Sequence, residues 1–483
     1  MMLPKSNKKP DRLFNIAVAV MLMLTAWSFV TYRQRMLFVD PAWITFNIVN
    51  HHAFVFAEHR FGAFITQMIP LMGVSFGWSL RTILLLYSAS FYLFYLSTVL
   101  ILGLVLKQKP LSLLLVVYLT LFVSDGYYWP NNEVHQGIAW MLLFIGMNRY
   151  QFRHKISSFS GYLLSVVFLV LAISCHLLVA LPILFLWYYV HRETPVKALL
   201  RNGKFVLTSI LILLLLLGKY QLSRHGWYDA SKLESIERLS FEKLTGIFHS
   251  GQLASFGRLA VRNYWLSLII FGGSAYYLIR SKRYLALLVW LLGIMAYMTL
   301  VCLIFPGGYG RSMRFYMESE WAALAIILAA PLVFDFCIPD PENIVALILV
   351  TVFGIRLAYI LCAFSYFDSR FRRLVRLVDT LQSKNIHKAV IVEKQQQSEG
   401  NFIMAWGLPV ESMMLSEIQG YPVQTTLKIM ADRPEILMNA TDSIYAPFDK
   451  KPAAVLNRQY FHLDTMQRYR VLSAEDCRKM GLR

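Results

Sequence analysis

The feature that most constrains this chain is a succession of continuous apolar runs separated by short charged stretches. A helix needs about 20 mostly apolar residues to cross the hydrocarbon core of a bilayer, and several of these runs reach or approach that length. Hydrophobic residues make up 57% of the 483 residues and charged residues only 16%, whereas soluble domains have about 45–50% and about 25%. The sequence therefore predicts an all-α polytopic membrane protein with about eleven transmembrane helices.

The positions of the basic residues predict how these helices are oriented. The first run, 13–32, is followed by Tyr32-Arg33-Gln34-Arg35 and not by a small-residue cleavage site, which favours an uncleaved first helix over a signal peptide. Counting the runs places four basic clusters on the side of the N-terminus, at 107–109, 149–155, 192–204 and 280–283. The positive-inside rule assigns that side to the cytoplasm. We therefore expect a protein of the bacterial inner (cytoplasmic) membrane with its C-terminal segment outside. The net charge of +19 then reflects this rule and contact with anionic membrane lipids, not nucleic-acid binding.

Two stretches on the predicted outer side differ in composition from the runs. Residues 33–79 are too polar to span a bilayer but rich in Phe, Ile and Met, which predicts amphipathic helices lying in the membrane interface. The C-terminal stretch begins with a basic helix and continues with strand-like segments, at 388–393, 403–406, 425–430 and 454–456. We predict a polytopic membrane domain over 1–365 and a small soluble extracytoplasmic α/β domain over 366–483.

Ionisable residues gather in the predicted outer loops rather than inside the runs. The candidates are Asp40, Glu58, His59 and Arg60 in the first loop, Glu133 and His135 in the second, His176 between the fifth and sixth runs, and Tyr309, Arg311 and Arg314 before the tenth. A transporter would place such residues near the middle of the membrane. The pattern instead indicates an active site at the outer interface.

The residues of such a site could supply a general base and a group that binds phosphate. Asp40 can accept a proton from an attacking hydroxyl group, and the guanidinium groups of Arg311 and Arg314 are well shaped for a phosphate. Simpler interpretations stay open. Asp40 precedes Pro41 and fits a helix N-cap, while the arginines fit contacts with lipid headgroups.

Metal binding is the other open alternative for the first loop. His51, His52, Glu58 and His59 are ligand types that cluster there, although their spacing matches no metal-binding motif. Five cysteines without a CxxC spacing indicate neither a zinc site nor a disulfide framework. We predict no cofactor, with a divalent metal left open.

Three segments carry a resemblance to a known family: Phe38-Val39-Asp40-Pro41, Glu58-His59-Arg60-Phe61-Gly62-Ala63 and Arg311-Ser312-Met313-Arg314-Phe315-Tyr316. With the predicted layout, they make the first 365 residues resemble the GT-C type of integral membrane glycosyltransferase. The resemblance implies that Asp40 acts as the base, assisted by Glu58, and that the donor is a sugar linked to a polyprenyl phosphate. The remaining candidates would then bind substrate or phosphate.

A second resemblance is to exopolysaccharide polymerases, through Val134-His135-Gln136-Gly137 and Ser174-Cys175-His176-Leu177. The expected function is transfer of a sugar to a lipid, glycan or protein acceptor on the outer face of the membrane. The alternatives are a polysaccharide polymerase, a glycolipid transporter or flippase, and a scaffold without chemistry. The expected partners are the polyprenyl-phosphate donor, the acceptor and membrane lipids, but not nucleic acid.

Overall fold

The computed structural model describes residues 9–480 except for 155–158, 239, 308–312, 337–342, 393–401, 403, 431–440 and 446–449. Tyr309 and Arg311 therefore lie outside the described residues. The helices of the first half are α1 Lys9–Val30, α2 Tyr32–Met36, α3 Val39–His51, α4 Phe64–Ser75, α5 Leu80–Leu100, α6 Lys109–Leu121, α7 Glu133–His154, α8 Phe159–Cys175, α9 Ala180–His191, α10 Val196–Arg201 and α11 Gly203–Ser223.

The second half adds further helices and all the strands. The helices are α12 Trp227–Glu237, α13 Phe241–Gly246, α14 Gly251–Arg262, α15 Leu266–Arg280, α16 Tyr284–Ile304, α17 Arg314–Trp321, α18 Leu324–Pro331, α19 Asn343–Ser383, α20 Leu408–Ile418 and α21 Ala474–Lys479. The strands are β1 Lys388–Val392, β2 Thr426–Met430, β3 Ser443–Tyr445, β4 Lys450–Pro452 and β5 Arg470–Leu472.

Among the described residues, five helices are long and apolar enough to cross a membrane, as expected of an integral membrane protein. They cover Asp11–Val30, Leu80–Val105, Gly203–Ser223, Tyr284–Ile304 and Ala346–Ser383, and α17 with the following helix forms a sixth candidate that is bent by 51°. The other predicted runs are helical as well but shorter, for example Lys109–Leu121. The predicted helical membrane fold is thus confirmed in its coarse form, and the number of crossings stays a prediction.

The four basic clusters meet at one end of the helical bundle, which we call the basic end. Gly146 packs against Leu106 and Leu111 beside the first cluster, and one turn later Arg149 lies over the ring of Phe334, 5.2 Å from its centroid. The next residue, Asp335, is almost fully buried and forms ion pairs that join two further clusters, with Arg192 after α9 and with Arg283 before α16. These are the four clusters that the sequence predicted to lie on one side, together with the N-terminus.

The segment between α1 and α5 contains two helices, α3 and α4, in the region where amphipathic helices were expected. Most of α3 is buried, including Ala42 and the stretch Thr45–Val49. It packs against α20 of the C-terminal segment. Bonds from Asn457 to the carbonyl of Val49 (2.9 Å) and from Tyr460 to the carbonyl of Trp78 (2.9 Å) fix the contact. The C-terminal segment therefore lies directly on the first loop.

The C-terminal segment is an α/β unit, as predicted. Its sheet has the order β2-β1-β5 with all three strands parallel, and β3 and β4 form a separate antiparallel pair. The strands predicted at 388–393 and 425–430 are β1 and β2, but the predicted strand at 454–456 is replaced by a 3-10 helix, Ala453–Val455. Helix α19 runs unbroken across the predicted domain boundary at 365/366 and carries the chain into β1. The two parts are therefore joined by one continuous helix.

Candidate active site

A cavity lies at the end of the bundle opposite the basic end. Helices α9 and α16 each have one terminus at the basic end, and the segments at their other termini line this cavity. Its volume is about 680 Å³ when it is counted out to its open mouth. The lining combines ionisable residues with apolar and aromatic ones: Arg60, Glu133, His176, Asp229, Lys232, Glu320, Trp129, Tyr228, Tyr316, Leu177, Leu178, Ile304 and Phe305 among others. We call it the outer cavity.

Arg60 forms one wall of the outer cavity and is held between two carboxylates. Its guanidinium nitrogens lie 3.1 Å from a Glu133 oxygen and 2.8 Å from an Asp229 oxygen. Burial alone would lower the pKa of Arg60, but the two carboxylates raise it above its ordinary value. The Nε atom of Arg60 is buried without a hydrogen-bond partner. Arg60 is therefore permanently charged and retains one donor for a further acceptor.

The residues before Arg60 hold the first loop against α12. The carboxylate of Glu58 accepts bonds from the backbone N–H groups of Tyr228 (3.3 Å) and Asp229 (3.2 Å) in the first turn of α12. Both Glu58 and His59 have left-handed backbone conformations, with φ of 53° and 55°, which is uncommon for residues other than glycine. The side chain of His59 is exposed. The structure thus shows Glu58 capping a helix, and it places neither residue in the cavity wall.

Asp40 lies beside the outer cavity, in the first turn of α3, and the N-cap position is occupied by Phe38. The indole Nε1 of Trp129, a cavity-lining residue, donates a hydrogen bond of 2.7 Å to a carboxylate oxygen of Asp40. Burial raises the pKa of Asp40 to about 6, with Glu133 adding to the rise and Trp129 and Arg60 opposing it. Asp40 is thus a weakly acidic carboxyl group that is mostly ionised at neutral pH.

The backbone just before Asp40 is strained and is clamped by the C-terminal segment. Val39 has φ of 42°, an outlier for a β-branched residue. Its N–H donates a bond of 2.8 Å to Glu411 of α20, and Glu411, which is fully buried, is paired with Arg370 of α19 at 2.8 Å. A side chain on Gly407 would meet Glu411 Oε1 at 2.5 Å and Val39 Cα at 2.9 Å. The bond to Glu411, the Arg370–Glu411 pair and the close packing of Gly407 together hold the backbone of Val39 in this conformation. That backbone in turn sets the position of Asp40.

His176 presents a neutral imidazole to the cavity. Its Nδ1 accepts a bond of 3.0 Å from the N–H of Leu178, so the ring proton is assigned to Nε2. Burial, assisted by the positive charges of Arg60 and other basic residues nearby, holds the pKa of His176 well below its ordinary value. The ring therefore offers a donor to a ligand without titrating near neutral pH.

Lys232 of α12 is the cation of the cavity that contacts rings instead of a carboxylate. Its Nζ lies 3.7 Å from the ring centroid of Phe305 and 4.4 Å from that of Tyr228. Burial lowers the pKa of Lys232 to about 8, although Glu320 and Asp229 counteract the shift. The ammonium group is still mostly protonated at pH 7, and within the described ranges no carboxylate forms an ion pair with it.

Besides Glu58 and His59, two more of the predicted site residues lie outside the cavity wall. Arg314 makes a two-pronged ion pair with Asp125 and approaches Glu318 at 3.7 Å, on a face of α17 that does not line the cavity. His135 is buried in α7 and shares a bond of 2.5 Å with the hydroxyl of Tyr118. Glu133, Arg60 and His176 do come together in the cavity wall, and Asp40 joins them through Trp129.

Several residues of the cavity were not candidates from the sequence, notably Trp129, Asp229 and Lys232. Asp229 and Lys232 belong to a charged stretch between two apolar runs. In α12 their spacing, with Leu233 one residue further on, puts them on one helical face. That spacing is the signal from which both could have been found.

A metal site is not formed by the histidines of the first loop. Within the part of the chain that the structure describes, no group of three or more His, Cys, Asp or Glu side chains is close enough to hold a metal ion. His52 instead lies 3.1 Å from the amide nitrogen of Asn457, and His51 lies 3.5 Å from Lys451.

Comparison with known proteins adds no assignment. Neither known protein families, nor curated protein sequences, nor solved structures give a match to this chain. The function is therefore argued from the geometry of the outer cavity.

Proposed function

We propose that this protein is an integral membrane glycosyltransferase that moves a sugar from a polyprenyl-phosphate-linked donor to a lipid, glycan or protein acceptor. The observation that carries the proposal is the juxtaposition of two groups. One is Asp40, a carboxylate with a raised pKa, and the other is Lys232, a cation of the cavity that contacts two rings and forms no ion pair with any carboxylate among the described residues. In this proposal the cavity opens on the outer face of the bacterial inner membrane, the N-terminus is cytoplasmic, and the chain crosses the membrane about eleven times.

Asp40 is suited to act as the general base. A base works best when its pKa lies near the operating pH, because it is then both deprotonated and strong enough to take a proton. With a pKa of about 6, Asp40 meets both conditions at neutral pH. The acceptor hydroxyl transfers its proton to Asp40 while its oxygen attacks the anomeric carbon, and the bond from that carbon to the phosphate oxygen breaks. The bonding electrons leave with the polyprenyl phosphate.

Lys232 and His176 are suited to hold the leaving phosphate. The ammonium group of Lys232 supplies a positive charge, and the Nε2–H of His176 supplies a directed donor in the same cavity. Arg314, the residue expected for this role from the sequence, already pairs with Asp125. The phosphate-holding role is therefore assigned to Lys232, with Arg60 Nε as a further donor.

The walls of the cavity suit a lipid-linked donor. Leu177 and Leu178 precede α9, and Ile304 and Phe305 end α16. Helix α16 is a candidate membrane span of which only 28% is buried inside the protein, so most of its surface would face lipid. A polyprenyl chain could lie along this apolar side while its phosphate enters the polar part of the cavity.

The test is transfer from defined donors by the purified, membrane-reconstituted chain. We expect release of polyprenyl phosphate from at least one member of a panel of polyprenyl-phosphate hexoses and pentoses. We expect Asp40→Asn to lower the rate by about 10²–10⁴, the usual contribution of a general base. The matched control is Asp368→Asn, which removes a carboxylate whose partners are Gln34 and Arg372 and should leave the rate unchanged. A folded Asp40→Asn variant with full activity would exclude Asp40 as the base, and failure of the wild-type chain with every donor would exclude the transferase.

A further inference from the structure

A second cleft lies between α2, α19 and α20, on surfaces that share no residue with the outer cavity. Its lining is Arg33, Phe371, Arg372, Val375, Arg376, Leu415, Ile418 and Gln419. Counted to its mouth it measures about 970 Å³, against about 680 Å³ for the outer cavity. We call it the arginine cleft.

The arginine cleft combines an apolar floor with a rim of guanidinium groups. Phe371 and Leu415 are buried at its base, while the arginines stand at its edge. Arg372 is paired with Asp368 at 2.7 Å. Arg33 bonds to the hydroxyl of Tyr32 at 2.9 Å, and in the described part of the chain no carboxylate lies within ion-pair distance of Arg33 or Arg376. Such a rim has an unused capacity for a phosphate group, which the planar guanidinium fork binds well.

The cleft also lies at the level where a bilayer places its headgroups. Helix α1 ends at Val30, three residues before Arg33. In α19, the apolar run begins at Ile344, and about 20 residues suffice to cross the hydrocarbon core. The cleft residues of α19, at 371–376, therefore follow about two to three turns after the point where that helix leaves the core. Tyr366, which is 41% exposed, precedes them as aromatic residues at membrane interfaces do.

We propose that the arginine cleft binds an anionic phospholipid of the surrounding leaflet. Its phosphate lies among Arg33, Arg372 and Arg376, and the beginning of an acyl chain packs against the apolar floor. The cleft matches such a lipid in two ways. Its arginines lie where the anionic phosphate would be, and its apolar side chains lie below them, where the acyl chain would be. This binding site does not depend on the transferase activity, because it uses none of the residues assigned to that reaction.

A lipid bound in the cleft would affect the backbone next to Asp40 through α20. Leu415 lies four residues after Glu411, so the two side chains share one stripe of the helix, and the same stripe faces α19. A lipid in the cleft contacts both helices that carry the Arg370–Glu411 pair. Because a ligand stabilises the folded state to which it binds, the lipid should reinforce the clamp on Val39.

The experiment compares the full-length chain in nanodiscs of phosphatidylglycerol with the same chain in nanodiscs of phosphatidylcholine. We expect a higher unfolding midpoint in phosphatidylglycerol, and at least threefold more retained phosphatidylglycerol than phosphatidylcholine by native mass spectrometry. The double variant Arg33→Gln/Arg376→Gln should lose most of both differences. The matched control is Arg470→Gln/Arg478→Gln, which removes the same charge from exposed positions of the C-terminal segment and should retain both.

Three outcomes would overturn the proposal. The first is equal loss in the control variant, since it would show a general effect of charge and no specific site. The second is a wild-type chain indifferent to lipid charge. The third is displacement by polyprenyl phosphate with no retention of phosphatidylglycerol, since this would identify another occupant. A photoreactive phosphatidylglycerol keeps the test decisive if the double variant misfolds: its crosslinks in the wild-type chain must fall within 32–36, 365–383 or 408–419, and crosslinks only elsewhere refute the site.

Discussion

Removal of Glu411 tests the clamp that sets the backbone at Asp40. In Glu411→Ala, Arg370, of which 6% is exposed, keeps its charge but loses the carboxylate that neutralises it, and the N–H of Val39 loses its acceptor. Breaking a buried ion pair by removing one partner costs about 3–5 kcal/mol, and a buried donor left without an acceptor costs about 1–3 kcal/mol. Relief of the left-handed backbone of Val39 returns about 1–3 kcal/mol. The expected net loss is therefore about 3–5 kcal/mol.

The measurement is the free energy of unfolding in mixed micelles, titrated with SDS and followed by tryptophan fluorescence. The double variant Arg370→Met/Glu411→Met should recover most of the loss, because replacing a buried pair by apolar residues of similar size is often neutral. Glu475→Ala, which breaks an exposed pair with Lys479 in α21, should change little. The reasoning is refuted if Glu411→Ala costs less than about 1 kcal/mol, or if the double variant is as unstable as the single one.

Three further predictions concern the site and the clamp. The pKa of Asp40 is raised from 3.8 to about 6, so its contribution to stability is present below pH 4 and lost as the pH rises through 6. Asp40→Asn should therefore stabilise the protein at pH 7.5 by up to about 3 kcal/mol and not at pH 4, as measured by thermal unfolding. Burial lowers the pKa of Lys232 to about 8, so binding of polyprenyl phosphate by the wild type should weaken above pH 8. The Lys232→Arg variant should not show this pH dependence. The Lys232→Gln variant should bind polyprenyl phosphate about tenfold more weakly than the wild type at pH 7, as measured by equilibrium titration. Gly407→Ala should cost about 1–3 kcal/mol by crowding Val39, whereas Gly257→Ala in α14, which meets open space, should be neutral or stabilising in the same unfolding assay.

The sequence was sufficient for the features that depend on local composition. Apolar runs predicted helices because a long apolar stretch satisfies its backbone only as a helix in a bilayer, and basic clusters predicted which helix ends share a side. The C-terminal α/β character followed from short runs of β-branched residues such as the one that ends Lys388–Val392. The length of α19 did not follow, because its apolar half and its basic half have different compositions although the helix is continuous.

The pairing of side chains over long distances was beyond the sequence. Arg314 was predicted to hold a phosphate and Arg60 to bind substrate or phosphate, but each has partners supplied by remote elements, Asp229 for Arg60 and Asp125 for Arg314. No periodicity encodes such pairs, since they depend on how helices pack. The strain at Val39 was equally hidden, because its acceptor Glu411 lies 372 positions away.

That separation has a consequence for how the protein is made. Ribosomes deliver the chain from its N-terminus, so the first loop is synthesised long before α19 and α20 exist. Until then the N–H of Val39 lacks its acceptor Glu411, although Trp129 can already bond to Asp40. A chain that stops short of Glu411 would contain every long apolar helix and still lack the clamp on Val39. Docking of α20 on α3 is therefore a late assembly step, and it completes the surroundings of Asp40 only after the helical bundle has been synthesised.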